Sequence, residues 1–534
     1  MSLYHFQLLL AAVRPEPRTL RSAIAAISLP SFAALVISVA VAFAGDCLAA
    51  DAPPNIIVIL ADDLGVGDVQ CFFKDGKIQT PNLDRLATQG MRFTEAHSGS
   101  SICSPSRYGI LTGRYAWRTR LRSGVLKPFD TPLIESGRLT IPAMLRQQAY
   151  TTACIGKWHL GWNWPVTDGK RDFTKPIADG PTARGGFDYY FGTDVPNYPP
   201  YCFIENDRTL GIPSAQLTPK EVPPSFHLSY PGAMLPGWKF DEILPTLDAK
   251  AVQYIADHAS EKKPFFLCLT LTSPHEPIAP SKEWQGRSAI NPVADFIMQT
   301  DAVAGDVIQA VEKYGISENT LVIFTADNGH CPYTGLEALL KYGHRPSGPY
   351  RGYKFDIWEG GHHIPFIARW PGKIKAGTTC DDPICLTDLM ATFAEISGAK
   401  IPGNAGEDSV SILPDLLGTA STPVREALVH QSGDGNLAIR QGKWKLEFCP
   451  GSGGWSAPKN APARKQGLPE MQLYDTTEDV AEQRNVQAEH PEIVQRLTQL
   501  LQKYIDDGRS TPGPKQENDV PVKIVPGNLA GGSE

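Results

Sequence analysis

The feature that most constrains the fold is a β-branched apolar run that stops abruptly at two acids. Asn55-Ile56-Ile57-Val58-Ile59-Leu60 shows no polar alternation, the pattern of a strand buried on both faces, and it ends at Asp62-Asp63. The pattern recurs. A strand expected over 151–155 runs into Gly156-Lys157-Trp158-His159, one over 264–271 precedes His275, and Leu321-Val322-Ile323-Phe324 precedes Asp327-Asn328-Gly329. Helical patterns separate these runs. Pro81 opens a short helix with Leu83, Leu86 and Ala87 on one face, and Thr140-Ile141-Pro142 opens another. A third is expected over 247–260, and Val293, Phe296, Val303, Val307 and Val311 mark a long one over 292–314. The alternation predicts an α/β fold: a large, mostly parallel sheet sandwiched by helices, with right-handed crossovers. Ligands of such sheets bind at the C-terminal strand edges, where Asp62/Asp63, Lys157/His159, His275 and Asp327/Asn328 all fall.

Beyond about residue 420 the character changes. Short antiparallel strands are expected at 427–430, 437–440, 444–448 and 473–475, followed by a helix from Pro491 with Val494, Leu497, Leu501 and Tyr504 on one face. The chain thus divides into a catalytic domain over 51–420, a C-terminal α+β subdomain over 421–510 and a loosely ordered tail over 511–534. At the other end, Arg14, Arg18 and Arg21 precede an uncharged stretch from Ala23 to Gly45 that contains Ala42-Phe43-Ala44. Residues 1–44 read as a secretory signal, with an uncleaved membrane anchor as the alternative. Either way the bulk of the chain is expected to be exported, periplasmic or secreted. Export places the ten cysteines in an oxidising compartment, where most are expected to pair. Their spacings match no compact disulfide scaffold or zinc ribbon and assign no pairing.

Composition excludes other classes. With 42% hydrophobic and 20% charged residues, the 534-residue chain is neither a disordered tail nor a membrane bundle. Lys and Arg number 50 against 57 Asp and Glu, a net charge of −7 with no basic run, so nucleic acid is not an expected partner.

The chemistry begins with the acids. Asp62 and Asp63 alone fit a helix N-cap as well as a cation site. Asp327 and Asn328 after a second strand complete a hard, all-oxygen set suited to Ca²⁺ or Mg²⁺ rather than zinc. The most specific segment is Ser101-Ile102-Cys103-Ser104-Pro105-Ser106-Arg107, continuing to Leu111-Thr112-Gly113-Arg114. A lone exported cysteine is ordinarily a disulfide partner or a core thiol. Here the spacing is too short for a cysteine-phosphatase loop and matches Cys-x-Pro-x-Arg. On that motif the chain resembles the type I sulfatases of the alkaline-phosphatase superfamily.

The resemblance runs from about residue 55 to 372. Asn55 to Asp68 resembles the family's opening strand and metal segment, and Pro81-Asn82-Leu83-Asp84 follows. Ala149 to His159 resembles the second signature, with Ala149 in place of its usual glycine. Thr272-Ser273-Pro274-His275, Asp327-Asn328-Gly329 and Arg351-Gly352-Tyr353-Lys354 come next, then Glu359 to Pro365 with His363 where the family commonly has arginine. The block ending in Gln472-Leu473-Tyr474-Asp475 is similar to the family's tail.

The resemblance implies that a maturation enzyme oxidises Cys103 to formylglycine, whose hydrate is the nucleophile, with Arg107 leaning back over it. It implies a Ca²⁺ ion, with Mg²⁺ as the alternative, held by Asp62, Asp63, Asp327, Asn328 and residue 103. Lys157, Lys354 and His275 would contact the sulfate, and Asp327 would assist attack as a base. His275 or Lys354 would protonate the leaving alcohol, and His159 would expel sulfate from a covalent adduct. The implied activity is hydrolysis of sulfate monoesters of carbohydrates or other sulfated small molecules. Two alternatives stay open: a formylglycine-dependent phosphate or phosphonate monoester hydrolase, and a catalytically silent relative that binds sulfated glycans. The aromatic segment from Phe187 to Phe203, with Tyr189, Tyr190, Tyr198 and Tyr201, either lines a sugar-stacking cleft or packs within its loop.

Overall fold

A computed structural model of the chain describes residues 53–219 and 229–524. The expected signal over residues 1–44 and the last ten residues of the tail lie outside them. Residues from Pro53 onward form one compact unit. Seven strands carry its main sheet: β1 (Asn55–Ala61), β2 (Met91–Phe93), β3 (Thr151–Lys157), β4 (Tyr189–Thr193), β5 (Phe265–Thr270), β6 (Thr320–Ala326) and β7 (Phe366–Arg369). Their spatial order is β2-β7-β6-β1-β5-β3-β4, and short strands at 378–380, 204–205 and 208–209 extend the edges to ten. The five strands from β6 to β4 are mutually parallel, whereas β7 runs antiparallel to β6 and β2 antiparallel to β7.

The expected α/β architecture is therefore present, mixed only at its edges. All seven residues of β1 are buried, as its unbroken apolar run requires. Helices α1 (Pro81–Gln89), α2 (Cys103–Thr112), α3 (Ile243–His258) and α4 (Pro292–Lys313) cover the sheet. Pro81 and Pro292 stand at first helical positions, and the Asn291 side chain caps α4 by accepting from the Ala294 amide. Helix α3 starts four residues before the expected 247, because Ile243 and Leu244 add to its buried stripe. At Ala149 the backbone has φ +63°, the left-handed region where glycine carries no Cβ penalty. The chain keeps the turn there and accepts the strain.

Strands β8 (Leu428–Gln431), β9 (Leu437–Gln441), β10 (Trp444–Glu447) and β11 (Gln472–Asp475) form an antiparallel sheet in sequential order. Helix α5 (Pro491–Asp506) buries Leu497, Leu501 and Tyr504 in one cluster with Leu437, Ile439 and Leu473. This small sheet braces the loop that leads into α2: the Gln431 carbonyl accepts from the Ser101 amide at 2.9 Å, and the Gln431 amide donates to the Gly99 carbonyl. The C-terminal segment also reaches back. Asp519 pairs with the buried Arg114 at 2.9 Å, and Asn518 Oδ1 accepts from Arg118 at 2.9 Å.

The expectation that most cysteines pair is corrected. All nine described cysteines are free, because most sit at buried positions as small apolar side chains rather than on facing loops.

Candidate active site

Four strand ends and one helix start build the site. Asp62 and Asp63 follow β1, Lys157 ends β3, His275 follows β5, and Asp327 and Asn328 follow β6. Cys103 is the first residue of α2, so the helix N-terminus faces the acids. Backbone bonds fix the acidic turn: the Asp62 amide donates to the Ser273 carbonyl at 3.0 Å and the Asp63 amide to Asp327 Oδ1 at 3.2 Å. Asp63 itself has φ +66°, a strained conformation for a non-glycine residue that turns its carboxylate into the site.

Each acid has a cation. Lys157 Nζ lies 2.7 Å from Asp62 Oδ2, and Lys354 Nζ lies 2.7 Å from Asp63 Oδ2. Arg107 donates from Nε to Asp327 Oδ2 at 3.0 Å and from Nη1 to the Lys157 carbonyl, while its Nη2 stands 2.9 Å from the same Asp327 oxygen as an ion-pair contact. The arginine therefore clamps Asp327, a partner the motif itself does not reveal. Cys103 Sγ is 3.6 Å from Asp62 Oδ1 and 3.8 Å from Asp63 Oδ1. A ligand atom from each of Asp62, Asp63, Cys103 and His275 lies within 4.8 Å of the others.

The electrostatics separate the three acids. Burial alone would raise all of them, but Lys157 leads the cations that hold Asp62 well below the ordinary range, and Lys354 leads those that lower Asp63. Asp327 is pushed up to about 7 by burial and then by the neighbouring Asp62 charge. An excess of crowded carboxylate of this kind is what a bound dication relieves. Asn328 supports the same reading, since its Oδ1 is buried without a hydrogen-bond partner while Nδ2 donates to Asp63. The donor set of Asp62, Asp63, Asp327 and Asn328 fits a hard divalent cation.

The two histidines differ in tautomer. His159 Nε2 is 3.2 Å from the Leu126 carbonyl, which can only accept, so Nε2 carries the proton and the buried Nδ1 keeps a lone pair with no protein partner. His275 is the reverse. Its Nδ1 lies 2.6 Å from the Glu276 carbonyl, leaving Nε2 toward Asp63 Oδ2 at 3.8 Å. Burial, then the Lys157 charge, lowers His275 to about 4, and burial likewise holds His159 well below its ordinary value. Both are neutral imidazoles near pH 7.

The structure thus brings together every residue expected at the site. It also adds residues without a local sequence signature. Asp68 is buried between His330 Nδ1 at 3.1 Å and His344 Nε2 at 2.8 Å, and its Oδ2 accepts from the Gly65 amide, which ties the turn after β1 to the loops after β6. The His330 carbonyl then accepts from the Lys354 amide at 3.0 Å. Of the aromatic segment, Tyr198 stands edge-on to His159 with ring centroids 5.6 Å apart. Tyr190 is bonded into the core through Gly156 and Thr193, so packing accounts for it. His363 replaces the usual arginine by placing Nδ1 3.2 Å from Glu359.

The family model for sulfatases matches residues 54–399. The chain belongs to the sulfatase family. It is similar to an N-acetylgalactosamine-6-O-sulfatase of Bacteroides thetaiotaomicron, 34% identical over 492 residues that cover 84% of this chain and 92% of the relative. Human arylsulfatase A is 33% identical over 498 residues, covering 88% and 91%. A solved structure described under the metabolism of multiple glycosaminoglycans by Bacteroides thetaiotaomicron superposes with a TM-score of 0.73 at 31% identity, covering 85% of this sulfatase and 99% of that chain. Sulfatases are sulfuric ester hydrolases, and this enzyme is one of them. Among the described residues, no helix of the sulfatase is long and apolar enough to cross a membrane.

Proposed function

We propose that this sulfatase hydrolyses sulfate monoesters of carbohydrates, with formylglycine made from Cys103 as its nucleophile and Ca²⁺ as its metal. The observation that carries the reading is the placement of Cys103 at the start of α2 against Asp62 and Asp63, between Lys157 and Lys354. Burial raises the unmodified thiol well above its ordinary value despite both lysines. A thiol held protonated is a poor nucleophile, so an oxygen at this position serves better. Cys103 is only 1% exposed, and the maturation enzyme must therefore act before the chain folds. The substrate class is supported by the sugar sulfate in the name of the Bacteroides relative. Export, with residues 1–44 as the signal, belongs to the same proposal.

Asp62, Asp63, Asp327 and Asn328 would hold the cation, with Mg²⁺ as the alternative. When bound, it supplies positive charge beside the transferring sulfate. The charge count favours this arrangement: three carboxylates already match Lys157, Lys354 and Arg107, so a dication leaves the site positive for a sulfate anion. Lys157 and Lys354 fix the sulfate oxygens, while Arg107 holds Asp327 in place for the attack. His275 Nε2, which holds a lone pair in the neutral ring, first takes up a proton from solvent, favoured once the ester's negative charge offsets Lys157, and passes it to the leaving alcohol. His159 Nδ1, with its free lone pair, removes the proton from residue 103 that releases sulfate. Hydrolysis of a panel of sulfated monosaccharides beside an aryl phosphate tests the reading. Sulfate release that far outpaces phosphate release is expected, and preference for the phosphate overturns it.

A further inference from the structure

The orientation of the His159 ring rests on one polar contact. Its main chain is fixed separately: the His159 amide donates to the Asp194 carbonyl at 3.1 Å, and φ is +55°, a strained value for a residue with a side chain. On the ring, Nε2 meets the Leu126 carbonyl at 3.2 Å, Nδ1 is buried without a hydrogen-bond partner, and Tyr198 stands edge-on at 81°. The tyrosine limits the tilt of the imidazole but does not choose which ring atom takes the Nδ1 position. The Leu126 carbonyl does. Without it, a half-turn about the Cβ–Cγ bond would put a ring carbon where the basic nitrogen stands.

Leu126 is itself held from two directions. Its amide donates to Ser104 Oγ at 3.2 Å, and Ser104 is the residue after Cys103 in the first turn of α2. Earlier in the same loop, Gln431 Nε2 donates to the carbonyls of Leu121 and Arg122, at 3.3 and 2.9 Å, and the Gly124 amide donates to the Gly433 carbonyl at 2.8 Å. Ser104, Leu126 and Gln431 are at most 2% exposed, so little water can stand in for a lost bond.

We propose that Ser104 and Gln431 are positioning residues for His159: they lock the Leu126 carbonyl against Nε2 and thereby present the Nδ1 lone pair to the site. The inference rests on the role given above to His159, removal of a proton from residue 103. Two hydrogen bonds, Leu126 to Ser104 and His159 to Leu126, link the base to the neighbour of the nucleophile. Helix α2 and the imidazole therefore move as one unit, which matters because a misplacement of about 1 Å can cost about a hundredfold in rate. Gln431 gives the small C-terminal sheet a part in the same alignment, since its main-chain carbonyl also accepts from the Ser101 amide.

Pre-steady-state hydrolysis of an aryl sulfate tests the proposal, with sulfate carried on residue 103 measured by mass spectrometry of quenched enzyme. Formylglycine content is measured first, so that every rate refers to converted enzyme. In Ser104→Ala the first release of the phenol is expected at the parent rate, followed by a phase about tenfold slower than parent turnover, with sulfate building up on residue 103. Gln431→Met, which keeps the bulk but not the amide, is expected to show the same pattern in weaker form. A Ser104→Ala enzyme with parent kinetics, or with both phases slowed alike as a merely loosened α2 would give, overturns the proposal, while the role of His159 stands on the burst of its own variant. Should Ser104→Ala fail to fold or to be converted, Gln431→Met decides by the same criteria. A His159→Ala enzyme without a burst removes the role of His159, and this proposal with it.

Discussion

Arg107 and Asp327 are joined at one carboxylate oxygen by a hydrogen bond from Nε at 3.0 Å and an ion-pair contact from Nη2 at 2.9 Å, with both side chains buried. This pairing holds in place a carboxylate proposed to bind the metal, through the arginine of the Cys-x-Pro-x-Arg motif. Removing the arginine leaves Asp327 beside Asp62 and Asp63 without its counter-charge, and breaking a buried pair costs about 3–5 kcal/mol. Arg107→Ala is expected to lower kcat/KM by more than about a hundredfold and to weaken calcium binding in calorimetric titration. Arg107→Lys, which keeps the charge but not the fork, is expected to recover part of both. Unchanged calcium affinity in Arg107→Ala would show that the clamp is not needed for the metal.

Cys103 is expected to be converted in active preparations. Mass spectrometry of the peptide spanning Cys103 should find the aldehyde or its hydrate. Cys103→Ala should abolish turnover and leave the thermal unfolding profile near that of the parent, since the thiol's hydrogen-bond contacts are long, at 3.6 and 3.8 Å. An active enzyme carrying only the free thiol rules out the nucleophile assigned here.

Asp63→Ala removes the carboxylate that Lys354 and Asn328 both contact. Loss of the alkaline-earth ion by elemental analysis and loss of activity are expected together. The assignment fails if the purified parent holds stoichiometric zinc and no alkaline-earth ion.

The strands and most of the site were legible because chemistry follows position: a buried parallel strand must end, and the polar residues at its end are the first that can face a ligand. Asp62, Lys157, His275 and Asp327 were found that way. Their partners were not. The Asp68–His330 contact spans 262 residues, and no local pattern in either segment reports the other. The bracing of Ser101 by Gln431 is likewise a product of topology, and the opposite tautomers of His159 and His275 follow from the carbonyls of Leu126 and Glu276. Ala149 shows the reverse case, where a departure from the family pattern is resolved by one dihedral angle.

Asp248 on α3 and Asp306 on α4 form a carboxyl pair away from the site, and burial with the Asp306 charge pushes Asp248 up to about 8. The folded state therefore binds a proton here that the unfolded chain, with its carboxyl near 4, gives up. Stability from this pair falls as pH rises from about 4 to about 8. Asp248→Asn is expected to raise the unfolding temperature by a few degrees at pH 8 and to leave it nearly unchanged at pH 4.5. The same shift at both pH values would exclude like-charge repulsion as the cause.

The last prediction separates His159 from His275, which share burial and neutrality but present different nitrogens. His159 Nδ1 has a lone pair and no protein partner, so it can take a proton but has none to give from that atom. Its replacement by Ala is expected to permit sulfur transfer and trap sulfate on residue 103. The kinetic mark is a burst of released alcohol near one equivalent, followed by a very slow phase. His275 faces the site through Nε2, beside Asp63; that nitrogen takes up a proton when the ester is bound and acts earlier by passing it to the leaving oxygen. His275→Ala is expected to slow transfer itself, most severely for sugar hydroxyls and least for aryl leaving groups that depart without a proton. No burst accompanies that defect, because the slow step then precedes the adduct. A burst in the His275 variant and none in the His159 variant would mean that the two roles are exchanged, while the Cys103 and metal assignments would stand on their own tests.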